Sequence, residues 1–310
     1  MASHHKLSTA AIVALVVLIC VTAICLFASV LQGDVTYTQS STASEPSANA
    51  SGTEQDSSQD APLDATASPS SAQDHTASDD ARAKEFAVDP TRTDSESVTP
   101  EQPTVYLTFD DGPSENTESV LAILDRYGIQ ATFFVTGINP DYLPMIATCH
   151  ERGHTIGLHT YSHDYATVYA SRDAYWSDLN AIGEAVRTQI GYVPCFIRFP
   201  GGSSNTISAD YTQGIMSELS TEVRDAGYQY FDWDASCGDG AVHTADELLA
   251  ATQADTSYGY QSIVFLMHDG AGKETTVEAL PSIIEYFQSQ GYSFAAIDRH
   301  TPPAHHGIGN

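Results

Sequence analysis

Two adjacent carboxylates, Asp110 and Asp111, follow the short apolar segment Val105–Phe109 and precede a Gly-Pro pair. Consecutive residues of a strand point in opposite directions, so the two side chains can take different roles. One carboxylate can bind a metal ion while its neighbour stays free to act as a base. An Asp-Asp-Gly turn is also common at strand ends that have no catalytic function, so this pair alone is weak evidence of catalysis.

Two histidines, His159 and His163, follow a second strand-like segment, Thr155–Leu158. At this spacing they share one face if the segment forms a helical turn, which suits the binding of a single ion. Together with Asp111 they would leave coordination positions open, as a catalytic metal site requires. These donors suit zinc, and also iron, cobalt, nickel or manganese. Iron oxygenases use a similar set, but we expect an all-β fold for them, and this sequence alternates strands with helices.

Three further polar clusters follow apolar segments. In the first, Arg198 can pair with a catalytic carboxylate, and Gly201 and Gly202 allow backbone N–H groups to approach a ligand. The other two are Trp233–Gly240 and Phe265–Gly270. Each cluster alone is weak evidence, but five polar clusters at five predicted strand ends are hard to explain by packing. We therefore predict a catalytic site formed by these strand ends.

The elements that must position these residues are strands that alternate with helical segments. The predicted strands are Val105–Phe109, Ala131–Val135, Thr155–Leu158, Phe196–Phe199, Tyr228–Trp233, Ile263–Met267 and Phe294–Ile297. Alternation of this kind predicts βαβ units and a parallel sheet. We predict an α/β fold, a distorted and incomplete (β/α) barrel of about seven parallel strands, with an open doubly wound sheet as the alternative. In both folds the functional residues lie at the carboxyl ends of the strands.

The ordered motifs TFDDGPS, HTYSH, RFPGG and LMHD make the stretch from Pro103 to Asp298 resemble the polysaccharide deacetylase family, carbohydrate esterase family four. The resemblance implies a divalent-metal-dependent hydrolase that removes N-acetyl groups from a polysaccharide. It implies that Asp110 is the general base. It also implies that one ion, with zinc expected first, is held by Asp111, His159 and His163.

The remaining roles implied by the resemblance concern the walls of the site. Arg198 would orient Asp110, His268 would be the general acid with Asp239 tuning it, and Leu266 would line the pocket for the acetyl methyl group. The N–H of Gly201 is the expected donor to the oxyanion. Many family members carry Trp where this chain has Gly240. This departure predicts a more open groove wall, or one that Trp233 partly replaces.

The charge balance limits the partners of the chain. It has 12 Lys and Arg residues against 40 Asp and Glu residues, for a formal net charge of −28. Nucleic-acid binding needs a basic face, so we predict no nucleic-acid partner. Cys149, Cys195 and Cys237 can form at most one disulfide, and we expect none to be essential.

The N-terminal part of the chain carries the features of a membrane anchor and a tether. Ala10–Leu31 is an uncharged apolar run that, at about 1.5 Å per residue, is long enough to cross a bilayer core. We predict a single-pass anchor at 10–31, with residues 1–9 in the cytoplasm and the catalytic domain outside the cell. Secretion after cleavage of a signal peptide is the alternative. The composition of residues 32–102 predicts a disordered polar linker.

The catalytic domain is predicted to span residues 103–300, followed by a flexible tail at 301–310 in which His305 and His306 are solvated. An anchor and a long tether would hold the domain in the envelope of its own cell, so peptidoglycan is the first expected substrate. Chitin or an exopolysaccharide, and a polysaccharide O-acetyl ester, are the alternatives. A non-catalytic sugar-binding module is the rival class, but such a module would lack a metal ligand or Asp110, and all are present.

Overall fold

The computed structural model describes residues 80–92 and 96–310. The predicted cytoplasmic N-terminus, the predicted anchor at 10–31 and most of the predicted linker lie outside the described residues, so these assignments stay predictions. Within the described ranges, no helix is long and apolar enough to span a membrane.

One parallel β-sheet organises this part of the chain. Its strands are β1 Thr104–Asp110, β2 Thr132–Thr136, β3 Thr155–Thr160, β4 Phe196–Ile197, β5 Gln229–Tyr230, β6 Ala235–Ser236, β7 Ser262–His268 and β8 Ser293–Phe294. The strand order is β5-β4-β3-β2-β1-β7-β6, and β8 pairs with the start of β1. No strand pairing among the described residues joins β5 to β6, so the barrel is incomplete, as predicted. Strand β6, which has two residues and directly follows the polar residue Asp234, was not predicted from the sequence.

Seven α-helices that follow β1 connect the strands and cover the sheet. They are α1 Thr117–Tyr127, α2 Met145–Glu151, α3 Tyr165–Val168, α4 Arg172–Ile190, α5 Ile215–Asp225, α6 Ala245–Asp255 and α7 Glu274–Ser289. Local sequence explains several of their ends. The side chains of Ser171 and Thr244 cap the N-termini of α4 and α6, and Gly128 ends α1 with a φ of 66°. Only glycine adopts that backbone conformation routinely, so α1 stops there.

Residues of β1 alternate between two buried layers because successive side chains of a strand point to opposite faces. Leu107 and Phe109 belong to the large apolar cluster that includes the helices. Tyr106 belongs to a second, smaller cluster with Phe134 of β2 and Val264 of β7. Asp110 has the same parity as Tyr106, so the alternation directs it to the inner side of the half-barrel.

The predicted linker boundary at 102/103 is wrong for residues 80–92, which pack against the catalytic domain. Residues 80–86 are helical. The ring of Phe86 meets the ring of Phe196 edge-on at 5.3 Å, and the Cys195 N–H donates to the Phe86 carbonyl at 2.8 Å. The N–H of Val88 donates to the Val193 carbonyl at 2.9 Å. Two apolar side chains and paired backbone therefore order a segment whose overall composition is that of a linker.

The prediction of a flexible tail at 301–310 is also wrong. The Ala304 carbonyl accepts the Asp232 N–H at 2.8 Å, and the His306 Nε2–H donates to the Trp233 carbonyl at 2.7 Å. The side-chain oxygen of Asn310 accepts the Gly214 N–H at 2.7 Å. His305 stacks on Tyr230 with ring centroids 4.1 Å apart. These backbone and ring contacts hold the tail against the loops that follow β4 and β5.

The three downstream cysteines are free thiols. Cys149, Cys195 and Cys237 are all buried, and none forms a disulfide. Burial raises the pKa of Cys195 to about 12, which keeps the thiol protonated and unreactive at neutral pH. Their contribution in this structure is therefore apolar packing.

Candidate active site

The register between β1 and β7 brings the predicted base and the predicted acid together. Asp110 pairs with His268, and Thr108 pairs with Leu266. Adjacent strands in a sheet lie about 4.8 Å apart, so Asp110 and His268 are neighbours at the carboxyl ends of their strands. Leu266 is 7% exposed and lies two residues before His268, on the same side of β7.

The three predicted metal ligands converge. The Asp111 Oδ1 atom lies 3.6 Å from Nε2 of His159 and 3.4 Å from Nε2 of His163, and one donor atom from each residue lies within 4.8 Å of the others. Oδ1 of Asp111 is buried and has no hydrogen-bond partner among the described residues. A buried carboxylate oxygen facing two imidazole nitrogens fits one divalent cation.

Two of these residues adopt the left-handed backbone region. Asp111 has a φ of 72° and His163 a φ of 48°, values that are uncommon for residues other than glycine. Such conformations cost energy and persist where the surrounding structure enforces them, often at functional sites. The loops after β1 and β3 therefore hold Asp111 and His163 in energetically unfavourable backbone conformations.

The orientation of His159 is set by its second ring nitrogen. Nδ1–H donates to the Arg198 carbonyl at 2.8 Å, which leaves the Nε2 lone pair facing Asp111. Burial, helped by the neighbouring His163, lowers the pKa of His159 to about 3. The imidazole is therefore neutral at physiological pH, which is the form that binds a metal ion.

Asp178 of α4, a residue not predicted from the sequence, supports the loop that lies between the two histidines. Its Oδ1 atom accepts the backbone N–H groups of Tyr161 and Ser162, the second at 3.1 Å. The side chain lies on the buried face of α4, next to Tyr175 and Leu179. An acidic residue on the apolar face of a predicted helix is the signal that could have identified it.

Arg198 is fully buried and forms a hydrogen-bonded ion pair with Asp110. Its Nη1 donates to Oδ1 of Asp110 at 2.7 Å and to the Thr108 hydroxyl at 2.8 Å, while Nε donates to the Phe231 carbonyl at 2.9 Å. Burial raises the pKa of Asp110, and the adjacent guanidinium opposes that effect by favouring the carboxylate. The contact agrees with the orienting role that the family resemblance implies for Arg198.

Asp239 and His268 form a close pair. His268 Nδ1–H donates to Oδ1 of Asp239 at 2.8 Å, and the backbone N–H of His268 donates to Oδ2 at 2.8 Å. The hydroxyl of Thr276 also donates to Oδ2 at 2.8 Å. Burial lowers the pKa of His268, but the hydrogen bond and negative charge of Asp239 outweigh it, so the pKa is raised overall. The pair thus favours an imidazolium that can deliver a proton from Nε2.

Asp269 stabilises the loop that follows the two catalytic carboxylates. It is 1% exposed, its Oδ2 accepts the Thr117 hydroxyl at 2.6 Å, and its carbonyl accepts the Ser114 hydroxyl at 2.5 Å. A side chain at Gly112 would overlap the Asp269 carboxylate. Burial raises the pKa of Asp269 to about 7. Asp269 lies in the predicted polar cluster Phe265–Gly270, but no role was predicted for it from the sequence.

The predicted substrate-binding residues lie around the same strand ends. Gly201 is exposed with a φ of 76°. The ring of Trp233 lies 5.9 Å from the Arg198 guanidinium carbon and meets the His306 ring at 4.8 Å. A Cβ placed on Gly240 would meet no atom within 4 Å, so the space beside this residue is open. Contact of these residues with substrate stays a prediction.

Comparison with known proteins gives one consistent result. Residues 97–220 match the polysaccharide deacetylase family. The solved catalytic domain of a peptidoglycan N-acetylglucosamine deacetylase from Eubacterium rectale is 39% identical, with a TM-score of 0.67 over 72% of this chain and 100% of that one. A peptidoglycan-N-acetylglucosamine deacetylase from Bacillus cereus is 29% identical over 201 residues, 63% of this chain and 70% of its own length. A chitin deacetylase from Colletotrichum lindemuthianum is 30% identical over 198 residues, 61% of this chain and 75% of its own length.

The range matched by the family, residues 97–220, contains the strand ends that carry the carboxylates, the two histidines and the buried arginine. The sequence motifs, the incomplete parallel barrel and the convergent Asp111, His159 and His163 side chains agree with that match. The chain therefore belongs to the polysaccharide deacetylase family.

Proposed function

We propose that this chain is a metal-dependent deacetylase that hydrolyses the N-acetyl groups of N-acetylglucosamine in peptidoglycan. The observation that carries the proposal is the Asp110 carboxylate, held at 2.7 Å by Arg198, between the convergent donors of Asp111, His159 and His163 and the His268–Asp239 pair. A base, a metal site and an acid thus lie together at the ends of neighbouring strands. This set supplies each group that amide hydrolysis requires.

The reaction follows from the position of each side chain. A divalent ion held by Asp111, His159 and His163, with zinc our first choice, would polarise the acetamide carbonyl and acidify the attacking water. Asp110 accepts a proton from that water as its oxygen bonds to the carbonyl carbon. His268 donates a proton from Nε2 to the departing nitrogen as the C–N bond breaks. The products are acetate and a free amine on the sugar.

The glycan assignment rests on two relatives whose names specify peptidoglycan N-acetylglucosamine, from Eubacterium rectale and Bacillus cereus. Chitin is the second candidate, since the Colletotrichum relative is a chitin deacetylase. We further propose that residues 10–31 anchor the protein in the cell membrane with the catalytic domain outside. The apolar character of that segment supports this placement.

The substrate assignment is tested by measuring acetate released from purified peptidoglycan, chitin oligomers and acetylated xylan under identical conditions. The proposal predicts the highest kcat/KM on peptidoglycan, with release abolished in Asp110→Asn. A clear preference for chitin or for the O-acetyl ester would contradict the peptidoglycan assignment. The membrane anchor is tested by fractionation of cells that express the full chain. Recovery of the intact protein in the culture medium, and not in the membrane fraction, would contradict the anchor.

A further inference from the structure

Tyr165 begins α3, two residues after the predicted ligand His163. The Asp164 carboxylate caps this helix by accepting the N–H groups of Ala166 and Thr167 at 3.4 and 3.2 Å. The Tyr165 ring lies edge-on to the His163 ring, with centroids 5.9 Å apart. The cap and the ring contact together place the phenol beside the metal site.

The hydroxyl of Tyr165 also lies against Gly201. A Cβ built on Gly201 would fall 2.5 Å from the Tyr165 hydroxyl oxygen, closer than real Cβ contacts allow. The hydroxyl therefore occupies the space that a side chain at position 201 would fill. Gly201 has a φ of 76°, so both its backbone conformation and the space around it favour glycine. The phenol O–H is consequently adjacent to the peptide group whose N–H is the expected oxyanion donor.

This hydroxyl is available to a ligand. Tyr165 is half-buried, and its hydroxyl makes no hydrogen bond to any residue in the described ranges. The neighbouring Tyr169 differs, because its buried hydroxyl donates to the Pro200 carbonyl at 2.7 Å and so serves the loop itself.

We propose that Tyr165 is a catalytic residue whose O–H donates a hydrogen bond to the acetamide oxygen as negative charge develops on it. The inference rests on the proposed deacetylation. The Gly201 N–H and the Tyr165 O–H would then act as two neighbouring donors to one oxygen. The tyrosine forms no covalent bond and loses no proton. Its hydrogen bond strengthens in the transition state, so it lowers the barrier more than it improves substrate binding.

Tyr165→Phe tests the proposal, because it keeps the ring against His163 and removes only the hydroxyl. Removal of one such donor lowers kcat by about 10²–10³-fold, while KM changes little. The affinity for zinc, measured by competition with a chromophoric chelator, should stay within about twofold of wild type. Tyr211→Phe is the matched control, since Tyr211 is 44% exposed and has no predicted role in catalysis or metal binding. A kcat near that of wild type would overturn the proposal, and so would a loss of kcat matched by an equal loss of zinc affinity.

A second arm uses Gly201→Ala, whose methyl group would displace the Tyr165 hydroxyl. If the two residues act together, the double variant that combines Tyr165→Phe with Gly201→Ala loses no more activity than the more damaged of the two single variants. Fully additive losses would contradict the proposed pairing. Rates are measured on peptidoglycan, chitin oligomers and acetylated xylan. An incorrect glycan assignment then appears as a different preference of the wild type, whereas an incorrect role for Tyr165 appears as an unchanged kcat on its best substrate.

Discussion

The Nδ1 atom of His268 lies 2.8 Å from Oδ1 of Asp239, a residue that is only 3% exposed. The carboxylate also accepts the His268 backbone N–H, so its position relative to the ring is fixed at two points. A buried anion at this distance stabilises the imidazolium form of the ring. The pair therefore sets the pH range in which His268 can act as an acid.

Asp239→Asn should move the alkaline limb of the kcat/KM profile to lower pH. The acid must be protonated, so activity falls as pH rises through the His268 pKa. Asparagine keeps an acceptor for Nδ1–H but removes the charge that raises that pKa. The measurement is a pH profile of acetate release, with the exposed residue Glu247 changed to Gln as the control. An alkaline limb that stays in place or moves upward would show that another group is the acid.

Asp178→Ala should weaken metal binding, although Asp178 is not one of the predicted ligands. The carboxylate holds the N–H groups of Tyr161 and Ser162 between the two predicted ligand histidines. Loss of such a supporting partner typically lowers metal affinity by about 10–100-fold. Zinc affinity is measured by competition with a chelator, and Asp173→Ala, an exposed acid in the first turn of the same helix, is the control. Equal affinities for the two variants would contradict the supporting role.

His306→Ala should raise KM for polymeric substrate more than it lowers kcat. His306 donates to the Trp233 carbonyl and accepts from the Ser204 hydroxyl, so it joins the loops that follow β4 and β5. Loss of about 1–1.5 kcal/mol of hydrogen bonding would raise KM by about tenfold.

The same variant should shift the emission of Trp233, measured with Trp176 replaced by Phe, since the chain has 2 tryptophans. His300→Ala, an exposed histidine bonded to the Glu96 carbonyl, is the control for both measurements. An unchanged KM together with unchanged emission would show that the tail does not position the groove.

The sequence predicted the fold and the central side chains because their signals are local. Alternating strands and helices indicate a parallel sheet, and Asp110 and His159 directly follow the predicted strands Val105–Phe109 and Thr155–Leu158. Parallel strands bring such residues to one edge. That reasoning needs no knowledge of which strands are neighbours.

The elements that the sequence did not predict depend on contacts between distant parts of the chain. Asp178 acts on Tyr161, and Asp269 acts on Ser114 and Thr117. The ordering of residues 80–92 depends on Phe86 packing against Phe196. Composition and periodicity describe each segment by itself, so neither can identify a partner supplied by another element.

The most direct test of the account compares Asp110→Asn with Asp111→Asn in two measurements on each protein, zinc affinity and acetate release. Asp110 is bonded to Arg198, whereas Asp111 faces the two histidines, so the neighbouring carboxylates should separate the two properties. We predict that Asp110→Asn binds zinc with an affinity near that of wild type and releases no acetate. Asp111→Asn should lose zinc affinity and activity together. Loss of zinc affinity in Asp110→Asn, or retention of it in Asp111→Asn, would contradict the assignment of base and ligand on which the mechanism depends.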